Sequence, residues 1–243
     1  MAYSARSQLA MTSDQMQEAN EFGSRALELA ARFEDHSIRA HALNNIGTAL
    51  METECADGLA KLEESLAISR QHNLQDHAAR AYANLVSTGV RRHLSGVTSR
   101  YLAEGIEYCE VHDVQDSLNY IRVYGAYADL NSGAWEKAAT EAAELLEHHS
   151  LAVAQRVPAL VVLARVRARR GDPGVDSLLE EAAQLALPTG ELQRIGPIAA
   201  ARTEVAWYRG DLKRAAEAAA VDNGPTAVPE SAPKPESAEA SPP

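Results

Sequence analysis

Aromatic residues are scarce in this chain, 5% of 243 positions, although 46% of it is hydrophobic. A core of that composition is packed mainly by Ala, Leu and Val, side chains that suit closely apposed helices. Cysteine is almost missing. Cys55 and Cys109 have neither pairing nor metal-ligand spacing, which suits a reducing, cytoplasmic setting. No apolar run approaches the roughly 18 residues that span a bilayer, and the N-terminus carries no signal-peptide core, so no membrane partner is expected. Positive charge is also in deficit: 23 Lys and Arg against 34 Asp and Glu give a formal net charge of −11. Phosphate backbones require a basic surface, so direct nucleic-acid binding is not expected.

The motifs of catalysis are missing as well. There is no GxxxxGK[ST] phosphate loop, no GxGxxG after a strand, no HExxH and no GxSxG. His36 and His41, like His72 and His77, stand five apart, a poor spacing for ligands on one helix, where four is preferred. They read as polar helix-surface histidines. Glu63-Glu64 and Glu180-Glu181 read as solvated charge on exposed faces. The expectation is a protein that is not an enzyme and uses no cofactor or metal.

What the chain does have is a repeat. In Arg39–Asn73, Leu43, Ile46, Gly47 and Leu50 fall on one helical face, and Gly58, Leu62, Ser65 and Leu66 form a second stripe. The small residues Gly47, Gly58 and Ser65 lie inside these stripes, where two antiparallel helices must approach closely. Ala42–Ile46 matches Ala81–Leu85 after a shift of 39, and Gly171-Asp172 recurs 39 later as Gly210-Asp211. Six helix pairs fit, starting near residues 1, 40, 79, 119, 157 and 196. Self-similarity at such a period marks a solenoid.

Within this frame Thr12-Ser13-Asp14 reads as the cap of a helix running to Phe33. Asp76-His77 opens a further helix and Ser95-Gly96 marks a turn. Asp116-Ser117 caps a helix with Tyr120, Tyr124 and Tyr127 on one face, read foremost as core filling and alternatively as a ligand platform. Pro158 suits a helix's first turn. Arg165, Arg167, Arg169 and Arg170 complement a helix C-terminus, or else clamp a partner's carboxylate or phosphate. From residue 222 the chain turns to Pro, Ser and Glu, with six of its ten prolines and no aromatic residue. Such a composition cannot offset chain entropy by burial, so a repeat domain over 1–221 and a disordered tail over 222–243 are expected.

The alternation of small and large apolar residues, the Gly-Asp and Gly-Ala turns and the run GAWEKA resemble the tetratricopeptide repeat, with units longer than its usual period of about 34. That resemblance implies an all-α fold, a right-handed superhelix of helix pairs whose first helices line a concave groove. The groove would then hold His41, Asn44, Thr48 and Met51, followed by Arg80, Ala83 and Ser87, and further along Tyr124, Val161 and Arg165. The runs RAHALNNIGTAL, GLAKLEESLAISRQHN, HAARAYANL, RYLAEGIEYCE, RVPALVVLARVRARRGDPG and PTGELQRIGPIAAARTEVAWYRGDL resemble the repeat region of large bacterial regulators. Those carry an ATPase module before the repeats and a LuxR-type helix-turn-helix after them. The resemblance implies a regulatory scaffold that binds a protein or peptide, or alternatively a sensor holding a small-molecule inducer near Tyr124 and Arg165. This sequence contains no phosphate loop and no DNA-reading helix, so neither of those activities is implied. The apolar residues Tyr3, Leu9 and Met11 in the first unit, and Val205 and Trp207 in the sixth, imply self-association or docking through the ends of the array.

Overall fold

The computed structural model describes residues 1–148 and 150–221; the tail expected over 222–243 lies outside them. Among the described residues there are twelve α-helices and no strand. They run α1 (Ala2–Thr12), α2 (Met16–Phe33), α3 (His36–Leu50), α4 (Cys55–Gln71), α5 (Gln75–Arg91), α6 (Ser95–Val111), α7 (Gln115–Ser132) and α8 (Trp135–Glu147), then α9 (Val153–Arg170), α10 (Val175–Ala186), α11 (Leu192–Tyr208) and α12 (Leu212–Val221). Six antiparallel pairs stack into an all-α helical repeat. From the second pair onward each begins four residues before its expected start, because a polar first turn such as His36–Arg39 precedes the apolar stripe.

The two helices of a pair have different surroundings. Each odd-numbered helix contacts the odd-numbered helices before and after it as well as the even-numbered helices on both sides. The even-numbered helices pack on odd-numbered ones, with no comparable contact among themselves. Burial follows this arrangement. Every residue from Ala42 to Ala49 in α3 is buried, whereas α8 buries only Ala138, Ala142 and Leu145. A helix that is buried around its circumference belongs inside a stack, and one buried along a stripe belongs outside it. The first helices therefore form the continuous inner layer.

The helix ends explain why several expected caps are not caps. Asp14, Glu34, Asn73, His93, Asp113, Gly133, Gly171 and Gly210 all have left-handed backbones (φ +52 to +88°). In each case the next residue donates its N–H to the carbonyl five back from itself, as in Leu94 to Gly89 (2.8 Å) and Val114 to Cys109 (2.9 Å). This closes the preceding helix, and that residue or its neighbour starts the next one, except after Gly171, where α10 begins at Val175. Leu74, Leu94, Val114 and Ala134 are N-caps without any side-chain bond. Thr12-Ser13-Asp14 thus ends α1 rather than capping α2, whose N-cap is Gln15. Asp116-Ser117 lies inside the first turn of α7, and Ser95 is already helical. Pro158 is the sixth residue of α9 and not part of its first turn.

The close approach expected of the small residues is present. A Cβ built on Gly58 would sit 2.5 Å from the Met51 nitrogen and 2.8 Å from the Gly47 oxygen, so α3 and α4 meet backbone to backbone there. Ser65 completes the crossing by donating its hydroxyl to the Ala40 carbonyl at 2.7 Å.

Candidate functional site

The ten residues expected to line a groove fall into three groups. Tyr124 and Arg165 come together in one recess of the inner layer. His41 and Arg80 come together at the N-terminal end of the same layer. Asn44, Thr48 and Ser87 are buried in the stack, 2%, 8% and 0% exposed, and do not reach a groove surface. Met51, Ala83 and Val161 are buried likewise. The reason is angular. Successive helical residues are about 100° apart, and the buried run Ala42–Ala49 covers every direction around α3, so Asn44 and Asn45 both lie in the stack, Asn45 bonded to the Ser4 carbonyl and to Arg80.

The recess has a volume of about 300 Å³ and takes its walls from four consecutive inner helices, α5, α7, α9 and α11. Tyr120, Tyr124 and Tyr127 lie in sequence along α7, with ring centroids 4.8 and 5.9 Å apart. Burial raises the phenols of Tyr124 and Tyr127, the latter to about 12, so both remain protonated donors at neutral pH. Arg91, Arg165 and Arg194 stand around them. Arg165 is held by Glu204 (Nε to Oε2, 2.7 Å), Arg194 by Glu191 (2.7 Å), and Arg91 faces Glu52 at 3.5 Å. The Nε of Arg91 is buried and has no hydrogen-bond partner. Pro158 and Pro197, each the sixth residue of its helix, also line the recess. Proline has no N–H to offer the carbonyl four residues earlier, and those carbonyls belong to the lining residues Ala154 and Gln193. Aromatic faces, phenol donors and arginines thus converge on one concavity.

At the other end of the layer, His41 accepts at Nδ1 from the Ser4 hydroxyl (2.6 Å), which leaves Nε2 to donate to the Gln8 carboxamide oxygen (3.1 Å). Arg80 donates to Asn45 Oδ1 (2.8 Å) and Gln8 Oε1 (3.4 Å). No carboxylate among the described residues pairs with it. Of the four histidines expected on helix surfaces, His36 is exposed and His41, His72 and His77 are partly buried, and they also pair: His36 stacks on His72 (3.6 Å between centroids), and His41 lies 5.7 Å from His77. Both pairs are 36 residues apart in the chain, a spacing that could have exposed them. Burial above all, then the charges of Arg80 and His77, lowers the His41 pKa to about 4; burial and Arg80 also lower that of His77.

This network has a pH signature. His41 is lowered on folding from about 6.5, so its neutral-state stabilisation is complete above pH 6.5 and is lost as pH falls through about 4. Discounted for the half-exposed ring, the loss is about 1–2 kcal/mol. The melting temperature is expected to fall between pH 7 and pH 5, before most carboxylates titrate, and to fall less in His41→Gln. An equal slope in both proteins would count against the assignment.

Among the described residues, no group of three or more His, Cys, Asp or Glu could hold a metal ion, and no helix is long and apolar enough to cross a membrane. No protein-family model matches the chain, and no curated protein matches it in sequence. The recess must therefore be read from its own chemistry.

Proposed function

We propose that this chain is a non-catalytic, cytoplasmic binding module of a regulatory protein, whose inner layer of first helices receives an extended segment of a partner protein. The convergence of four successive inner helices on one aromatic and arginine-lined recess supports this reading. Such a surface recognises a peptide by stacking on its apolar side chains and bonding its carbonyls and carboxylates. The resemblance to the repeat region of ATPase/LuxR-type regulators agrees with a coupling role, in which occupancy of the recess is passed along a stack of nearest-neighbour contacts.

A second reading is a small-molecule inducer site. It is favoured by the volume of the recess, which is in the range of small-ligand pockets, and by the partnerless Nε of Arg91. An aromatic carboxylate combines the two features that the walls complement.

Hydrogen exchange separates these readings. A partner peptide is expected to protect α5, α7, α9 and α11 together, and Arg194→Glu is expected to weaken it about tenfold or more through reversed charge. Arg194 is preferable to Arg165 as the probe, because Arg165 holds Glu204 across the α9–α11 seam whereas Arg194 pairs only with Glu191 three residues earlier in the chain. A thermal-shift series with aromatic carboxylates tests the inducer reading, with stabilisation expected to disappear in Arg194→Glu. A partner that protects only the even-numbered helices and ignores Arg194→Glu would overturn both.

A further inference from the structure

The junction between inner helices repeats inside the array, and among the described residues its two halves are uncovered on α1 and on α11–α12. Counting back from the left-handed residue that closes α1, α5, α7, α9 and α11 places equivalent residues side by side. Ten residues back stand Ser4, Ala83, Val123 and Val161, each at most 6% exposed, but the equivalent Ala200 of α11 is exposed. Three residues back, Val90 and Leu130 are buried, Met11 and Ala168 are half-buried, and Trp207 is 65% exposed. These are the positions that the following first helix covers. With Thr203, Tyr208 and Ala219 they border an open recess of about 490 Å³ on α11 and α12.

The opposite half is bare on α1. Twelve residues back, Ala81, Ile121, Ala159 and Ile198 are at most 3% exposed, whereas Ala2 is exposed. Five residues back, Thr88, Val166 and Val205 are buried and Ala128 is half-buried, whereas Leu9 is 68% exposed. These are the positions that the preceding pair covers. Each face is apolar at the register positions where the interior junction is apolar, and among the described residues each lacks the partner that the other supplies.

We propose that the occupant of the α11–α12 face is α1 of a second copy of this chain, so that copies join head to tail and the solenoid continues from one to the next. The argument is continuity with the internal junction, which joins α1 to α3, α3 to α5 and so on to α11. The contact is heterologous: it uses two different faces, and nothing in a stack of parallel inner helices closes it into a two-fold dimer. Such a contact propagates rather than saturating at two copies. The proposal is independent of what the concave recess binds.

The test is sedimentation velocity on the intact chain over a concentration series, with two single-face variants. Leu9→Glu charges the α1 face and Trp207→Glu the α11 face; both side chains are mostly solvent-exposed, so circular dichroism should be unchanged. The intact chain is expected to form a concentration-dependent ladder of species with a blue shift in tryptophan emission. Each variant alone is expected to be monomeric. An equimolar mixture of the two is expected to form a dimer and stop there, because only one productive pair of faces remains. Ala200→Glu serves as a second block of the α11 face should Trp207→Glu perturb its helix. A chain that is monomeric at every concentration overturns the proposal, whatever segment then covers Trp207. So does a Leu9→Glu variant that still dimerises by itself, since that requires two α11 faces to meet.

Discussion

Gly58→Ala is expected to destabilise the protein by about 2–4 kcal/mol, within the range of overpacking at a contact that cannot relax. The added methyl would meet the Met51 nitrogen at 2.5 Å, the Gly47 oxygen at 2.8 Å and the Leu50 carbonyl carbon at 2.9 Å. All three are backbone atoms at the end of α3, so relief requires α3 and α4 to separate, with loss of the Ser65–Ala40 bond. Two other glycines provide the scale. A methyl on Gly23 meets Ile46 Cγ1 at 2.4 Å and Cδ1 at 2.7 Å; these belong to a buried β-branched side chain with one favoured helical rotamer, so about 2 kcal/mol is expected. A methyl on Gly96 meets nothing within 4 Å and lies inside α6, so a gain of up to about 1 kcal/mol is expected. Urea denaturation of the three variants should give that order. Hydrogen exchange should place the Gly58→Ala loss in α3–α5, since coupling in a solenoid runs between neighbours. If Gly58→Ala unfolds at the same urea concentration as Gly96→Ala, the backbone contact is not tight.

The same crossing shows what a sequence makes legible. Apolar and small residues at helical spacing are a local pattern, and the 39-residue recurrence reports how often the pattern is reused, so six helix pairs and the Gly47–Gly58 approach could be read directly. Helix ends were harder to read. Gly133, Gly171 and Gly210 announce left-handed turns, but His93, Asp113, Asn73 and Glu34 hold the same backbone without a glycine. Side chains with cap-forming chemistry therefore drew attention away from turns closed by backbone bonds. The groove needed one further quantity, the rotation of each inner helix, and there an error of one residue is enough to exchange surface for seam. His41 and Asn44, three residues apart on α3, are the instance: the first is part-exposed, the second 2% exposed. The ion pairs and histidine stacks depend on two helices at once, yet some left a trace: Arg165 and Glu204 are 39 residues apart, one repeat, with opposite charges at equivalent positions.

That pair leads to the second large effect. Glu204 of α11 accepts from Arg165 Nε and Arg169 Nε of α9, both at 2.7 Å, and all three side chains are about one-fifth exposed. Burial alone would raise its carboxyl, but the bonds from Arg169 and Arg165 and their charges hold it below the usual carboxylate range. The carboxylate therefore stabilises the fold above pH 4.5 and ceases to do so as pH falls and it protonates. Removing it by Glu204→Ala leaves two guanidinium groups side by side without an acid, at an expected cost of about 2–3 kcal/mol, below the 3–5 of a fully buried pair because of residual solvent screening. The junction makes this loss local. Of the contacts that each inner helix makes with the even-numbered helix before it, that of α11 with α10 is the thinnest in the array, so attachment of the last pair depends on the α9–α11 seam. Early hydrogen exchange in α11 and α12, with α3–α6 unchanged, is the expected result. Glu180→Ala is the control: its pair with Arg202 has 62% and 43% exposed partners and should contribute under about 1 kcal/mol. Equal melting temperatures for Glu204→Ala and Glu180→Ala would mean that the two arginines do not need their acid.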